Sequence, residues 1–329
     1  MTTAATDLLR PAGTPTGSPA EGAAVTRSRS ASRLFWERFR EDKAAMCALL
    51  VILFLIVIAF VGGPIAAWVT GHPSIKAYNQ TMLDSFGVPK GPNSQFWFGA
   101  DGAGRDLFVR TMYGARTSLF VGIVASGIAV IVGLIVGLIA GYFGRWVDMG
   151  LSRAGDVMLA LPTLLISIGI VAACNSAPNG CLHGTIQQGM RVVIFVIAFF
   201  SWPYIARVVR SYTLSIREKE FVEASRSLGA SNTRIIFREI LPNLIGPMIV
   251  FTTLLIPQNI LFEAALSYLG LGVNGDTASW GGLLNDAQTY YDVAWWLMLF
   301  PGLFLVVTTL AFNLLGDGLR DALDVRADR

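Results

Sequence analysis

Charge is what this chain has least of. Asp, Glu, Lys and Arg make up 14% of its 329 residues, against roughly a quarter in an ordinary soluble domain. That shortage argues against a water-soluble core of this length. Histidine is scarcer still: His72 and His183 are the only two, and neither sits in an H-E-x-x-H frame. No cluster of His, Cys, Asp and Glu has metal-ligand spacing, so no metal site is expected. No glycine is followed by lysine, which excludes the G-x-x-x-x-G-K-[ST] phosphate cradle and a nucleotide site built on it. No nucleophile–base pair can be assembled from spacing either, so the chain reads as non-catalytic. The formal net charge of +3 gives no reason to expect nucleic acid. Cysteine numbers three. Cys47 stands alone, whereas Cys174 and Cys181 lie seven residues apart, either as a small disulfide loop or as two free thiols.

Apolar residues are what the chain has in excess. They reach 53%, with a mean hydropathy of +0.57, and they gather into six runs. These are Met46–Trp68, Thr117–Gly141, Val157–Ala173, Val192–Val209, Leu244–Ala265 and Trp295–Leu315. Most reach or approach the ~20 residues that cross ~30 Å of hydrocarbon. Backbone groups in lipid must bond internally, so each run is expected to be a helix. The expected fold is therefore all-α and integral to the membrane, with about six spans. With the N-terminus inside, 19 of the 25 Lys and Arg fall in inner segments and 6 in outer ones, the asymmetry expected of cytoplasmic loops. Both termini and residues 215–242 are then cytoplasmic.

Residues 1–33 are rich in Ala, Thr, Ser, Pro and Gly without an apolar period, and read as a disordered tail. They are not a signal peptide, because the first apolar run starts near residue 46 and is too long for one. Residues 34–45 carry a basic, aromatic pattern that predicts a helix lying on the membrane surface. The spanning domain is expected over 46–316, with an outer loop at 69–116, and a cytoplasmic tail over 317–329. Gly133, Gly137 and Gly141 recur every four residues, a stripe that lets helices approach closely, whether in a moving interface or in static packing.

One polar insert, residues 215–242, interrupts the apolar pattern. It predicts a helix from about Ser215 to Leu228, a break at Gly229, and a second helix from about Ser231 to Ile240. Pro242 then opens the next apolar run. Phe221, Ala224, Ser225 and Leu228 fall at i, i+3, i+4 and i+7 on one apolar or small face, rimmed by Glu218, Lys219, Glu220, Glu223 and Arg226. A solvated connection is the plain reading of such an insert; a helix of this shape also fits a partner's groove.

Glu223-Ala224-Ser225, then Gly229, then Leu241-Pro242, resembles the EAA loop of ABC importer permeases. The run Gly229–Asn243 is similar to its oligopeptide and dipeptide branch. Ser225 replaces the second Ala, and Glu239 stands where that branch usually has His. Gly99, Asp101, Gly104, Arg105 and Asp106 resemble the outer-loop signature of its C-type subunit, with Arg105 and Asp106 expected to tie a turn together. Glu263–Val273 and Ala278–Gly282 extend the likeness, which covers roughly residues 34–320. Glu263 is a carboxylate drawn into an apolar run, either touching substrate or partner, or hydrogen-bonded for structure.

The resemblance implies a type I importer permease in the bacterial cell membrane. Phe221, Glu223, Ala224, Ser225, Leu228, Gly229, Leu241 and Pro242 would couple it to the engine. Its implied partners are a B-type second permease, two ABC ATPases that bind the ATP and Mg, and an extracytoplasmic solute-binding protein. Cargo would be di- or oligopeptide, with glutathione, nickel chelates and some sugars carried elsewhere in the family. The rival reading is a secondary transporter or stand-alone membrane enzyme. Against it stand the lack of a midplane acid pair or Lys and of a convincing repeat.

Overall fold

Helices built from the apolar runs dominate the computed structural model, which describes residues 31–177, 180–181, 184–273 and 277–323. His183 and most of the N-terminal tail lie outside them. A surface helix, α1 (Ala31–Glu41), ends one residue before Asp42, whose carboxylate caps the next helix by accepting from the N–H groups of Ala44 and Ala45. The expected 34–45 helix is thus shifted, and Lys43 already belongs to the first span.

Among the described residues, five helices are long and apolar enough to cross a membrane. They are α2 (Lys43–Thr70), α3 (Leu107–Phe143), α6 (Met190–Arg217), α8 (Asn232–Tyr268) and α10 (Trp296–Leu323). Two shorter helices, α4 (Arg145–Ala160) and α5 (Thr163–Ser176), meet at an 85° bend and complete a sixth span only if taken together. The third run, expected as one helix over Val157–Ala173, is therefore bounded differently, divided between the end of α4 and most of α5. Pro162 sits at the break, where its ring and missing N–H end a helix.

Other boundaries move as well. α3 begins ten residues before the apolar run does, so Gly114 and Arg116 are helical rather than part of the outer loop. Its 37 residues extend about 55 Å at 1.5 Å per residue, so both ends project beyond the apolar layer. α10 continues to Leu323, well into the stretch expected as a tail.

The centre of the bundle is the pairing of α3 with α6. Gly133, Gly137 and Gly141 meet Ile205, Val209 and Thr213 together with the carbonyls of Trp202, Ala206 and Arg210. A Cβ at Gly137 would fall 2.6 Å from both the Ala206 carbonyl oxygen and Val209 Cβ. The glycine stripe thus packs α3 closely against α6 within this chain. At one end of the bundle lie the α3–α4 junction, the start of α8 and the end of α10. At the other lie the loop of residues 71–106, the disulfide and the short helix α9 (Trp280–Ala287).

Candidate functional site: the hinge between two spans

The 215–242 insert folds differently from the helix–break–helix expected of it. α6 runs on to Arg217, and the first arm is only the eight-residue helix α7 (Glu220–Ser227). The second arm is not a separate helix, because Asn232 opens α8 and the chain continues helical to Tyr268. Residues 235–240 widen into a π turn just before Leu241 and Pro242, the kind of irregularity often found at functional junctions.

Gly229 makes the corner. Its φ of +82° lies where a Cβ is penalised. The Ala230 N–H bonds the Ser225 carbonyl and the Gly229 N–H bonds the Arg226 carbonyl, which is the Schellman pattern of a glycine-stopped helix. A Cβ here would meet nothing within 4 Å, so backbone conformation alone selects glycine. Ser231 caps the start of α8, its hydroxyl accepting from the Arg234 N–H.

Two sets of side chains fix the corner to the bundle. Val222 is fully buried with Ile235, Ile240, Leu244 and Tyr142. The Tyr142 hydroxyl donates to Asn232 Oδ1 at 2.8 Å. Arg217 donates from Nη1 to the carbonyls of Gly141 and Tyr142 at 3.1 and 3.3 Å, a cation placed on the C-terminal carbonyls of α3. Neither Val222 nor Arg217 emerged from the sequence motif. Val222 lies about 100° around the helix from Phe221, so a face centred on Phe221 overlooks it.

The expected docking face divides in two. Phe221, Glu223, Ala224 and Leu228 are exposed, Leu228 at 88%. Ser225 is turned inward instead, its hydroxyl donating to Glu239 Oε1 at 3.3 Å. Glu239, where the family usually has His, therefore has a partner inside the hinge. Leu241 is half-buried against the same core and Pro242 is exposed in the first turn after the π segment.

The residues of the second motif gather at the far end. Asp101, fully buried, accepts from the N–H groups of Ala103 and Arg105 and from Arg105 Nε at 2.7 Å, and pairs with Arg110 Nε at 3.1 Å. Asp106 caps α3 through the N–H groups of Phe108 and Val109 and binds His72 Nδ1 at 2.7 Å. Arg105 and Asp106 do not bond each other; each closes its own turn. Gly99 and Gly104 have positive φ, with Trp296 and Asn79 packed where side chains would stand. Arg105 also approaches Asp286, whose carboxyl is pushed up by burial and by the nearby Asp101, against the pull of Arg110 and Arg105.

Glu263 is completely buried in α8. It accepts from Ser118 at 2.9 Å and Ser267 at 2.6 Å, and the Trp280 N–H donates to Ser118. It is the centre of a structural network joining α3, α8 and α9 and is closed to cargo in this conformation. Cys174 and Cys181 are disulfide-bonded, Cys174 from the last turn of α5 rather than from the loop. Cys47 is free and exposed.

Residues 133–329 match the family described as binding-protein-dependent transport system inner membrane component. Residues 30–83 match the N-terminal TM domain of oligopeptide transport permease C. The chain belongs to this permease family. Among its relatives is the glutathione transport system permease protein GsiD of Escherichia coli O6:K15:H31, 40% identical over 88% of this chain and 89% of the relative. The dipeptide transport system permease protein DppC of Alkalihalophilus pseudofirmus is 38% identical over 88% of each. The fold is similar to a chain of the inward-facing MetNI methionine ABC transporter. The TM-score is 0.51 at 19% identity, covering 64% of this chain and 94% of the other. This permease is thus a membrane-spanning, non-catalytic subunit of an ABC importer. Such a subunit works, in general terms, with another permease, an ATPase and a binding protein.

Proposed function

We propose that this permease imports di- or oligopeptides, or a peptide-like solute such as glutathione, and that α7 is its contact with the ATPase. The observation that carries the second part is the division of α7. Val222 roots the helix in the bundle while Phe221, Ala224 and Leu228 face outward, unpartnered among the described residues. An exposed apolar stripe on a rigid short helix matches a groove-binding element, and Glu223 stands at its rim for a charge partner. The cargo reading draws on the glutathione and dipeptide relatives.

The Lys and Arg asymmetry supports a cytoplasmic position for α7 and both termini. A B-type permease completes the path, and two ATPases holding ATP and Mg engage one α7-type helix each. ATP binding draws the ATPases together and, through α7, turns the spans toward an outer binding protein that delivers cargo; hydrolysis resets them. The anchoring by Val222, Arg217 and Tyr142 makes α7 move with α3, α6 and α8 rather than flex alone.

Uptake of labelled peptide into vesicles holding the full complex tests this reading. Glu223→Lys and Gly229→Asp are expected to lower ATP-driven uptake at least tenfold while the complex still assembles. Near-normal transport by both variants would refute docking through α7.

A further inference from the structure

Backbone groups left unbonded at hydrocarbon depth face protein or a watered cavity, never lipid. The break between α4 and α5 leaves such groups. Pro162 precedes α5 without a side-chain cap, and the N–H groups of Thr163, Leu164 and Leu165 have no hydrogen-bond partner among the described residues. α5 is a half-span. Its 14 residues extend about 21 Å, from this break to the end of the bundle that holds the disulfide.

Three helices agree on the depth of the break. Thr163 borders a cavity of about 220 Å³ together with Ser201 and Tyr204 of α6 and Gln258 and Asn259 of α8. Counted from the disulfide end at 1.5 Å per residue, Thr163 lies about 20 Å along α5, Ser201 about 16 Å along α6 and Asn259 about 14 Å along α8. Each figure is near the middle of ~30 Å of hydrocarbon, and each position falls inside an apolar run. The Ser201 hydroxyl donates to Asn259 Oδ1 at 2.8 Å, which ties α6 and α8 together at one level.

No charged residue lines this cavity, yet hydrogen-bonding capacity is left over. Gln258 is exposed, and neither its amide nor the Tyr204 hydroxyl has a partner among the described residues. Asn259, almost fully buried, donates one Nδ2 proton to Ser126, and its other proton has no partner among those residues. Nearer α7, Phe251 of α8 packs edge-on against both Tyr204 and Tyr212 of α6. The two tyrosines are 44% and 40% exposed, and neither hydroxyl is bonded among the described residues. A lane of unbonded hydroxyls from mid-membrane toward α7 fits a route across the bilayer and not a lipid face.

We propose that this cavity is a mid-membrane cargo site on the translocation path, binding the carbonyl and carboxylate oxygens at one end of a peptide. Its donors are the three free N–H groups at the positive end of the α5 dipole, with the Gln258 and Asn259 amides and the Tyr204 hydroxyl. The volume is below the about 300–1,000 Å³ that encloses a whole small molecule, so the cavity takes one end of the cargo and the groove takes the rest. Uncharged donors hold a carboxylate without the bidentate ion pair that would slow its release. This site deepens the peptide reading of the cargo and rests on it.

The test photo-labels the unaltered complex in vesicles. A dipeptide with a diazirine in its C-terminal residue is loaded on the binding protein, and turnover is stopped with vanadate. Adducts are expected within residues 161–165 or 255–262 of this permease. Import of the probe without an adduct in either segment would overturn the site and leave the peptide reading intact. Failure to import both the probe and its parent dipeptide would overturn the two together. Gln258→Leu and Tyr204→Phe, which keep the side-chain bulk, are each expected to lower uptake about tenfold at saturating loaded binding protein, as for one lost hydrogen bond to a charged group. Wild-type uptake in both variants would overturn the site. Loss of complex assembly in either would mark a contact between permeases and overturn it as well.

Discussion

Glu263 and Val222 are single residues whose roles come from where the chain folds them. Glu263 is a carboxylate enclosed in an apolar helix, and two serine hydroxyls donate to it while a backbone N–H donates to one of those serines. Glu263→Leu removes the acceptor from both hydroxyls, at about 1–3 kcal/mol for each donor left unpaired. A lower melting temperature of the purified complex is expected, with Glu263→Gln close to wild type because an acceptor oxygen remains. A leucine variant as stable as wild type would contradict the network. The sequence marked Glu263 as unusual because a carboxylate in an apolar run stands out. It did not mark Val222, since a valine beside a phenylalanine carries no signal until the start of the helix is known. Reading that start at Ser215 rather than Glu220 hid which side faces the bundle.

Helix length and pairing belong to the next scale. α3 and α6 come close because glycine recurs on the face that α6 covers. Gly137→Val would drive a side chain into the Ala206 carbonyl and Val209, where backbone leaves little room to yield. Overpacking of this kind costs about 1–3 kcal/mol, and a reduced yield of folded permease is expected; wild-type yield and melting temperature would argue against the tight pairing. Five of the six apolar runs correspond to long helices because hydropathy over ~20 residues is a strong signal. The third run failed since it straddles two helices: its apolar residues come partly from the end of α4 and partly from α5. Pro162 was the available warning, and hydropathy averages across it. The ends of α3, α6 and α8 were illegible for a related reason. Helices that outrun the hydrocarbon continue in polar sequence, where an apolar window no longer follows them.

At the scale of the whole molecule, the permease has two differently built ends. One is held by buried ion pairs, glycine turns and a disulfide. The other presents one short helix whose inner side is rooted and whose outer side is bare. The sequence motif located the Gly229 end of that helix, because Gly229 and the polar composition around it contrast sharply with the flanking spans. On the proposed docking, force delivered to α7 would reach α3 through Tyr142 and Arg217, and α8 through the backbone that continues helical after Asn232. The engine would then be linked to the spans at a single corner.

Site-directed photo-cross-linking in the assembled importer tests that link most directly. A photoreactive residue replacing Leu228 is expected to join this permease to the ATPase, and one replacing Tyr291, exposed at the opposite end, to join it to the binding protein. Capture of the binding protein from position 228, or of the ATPase from position 291, would contradict the account.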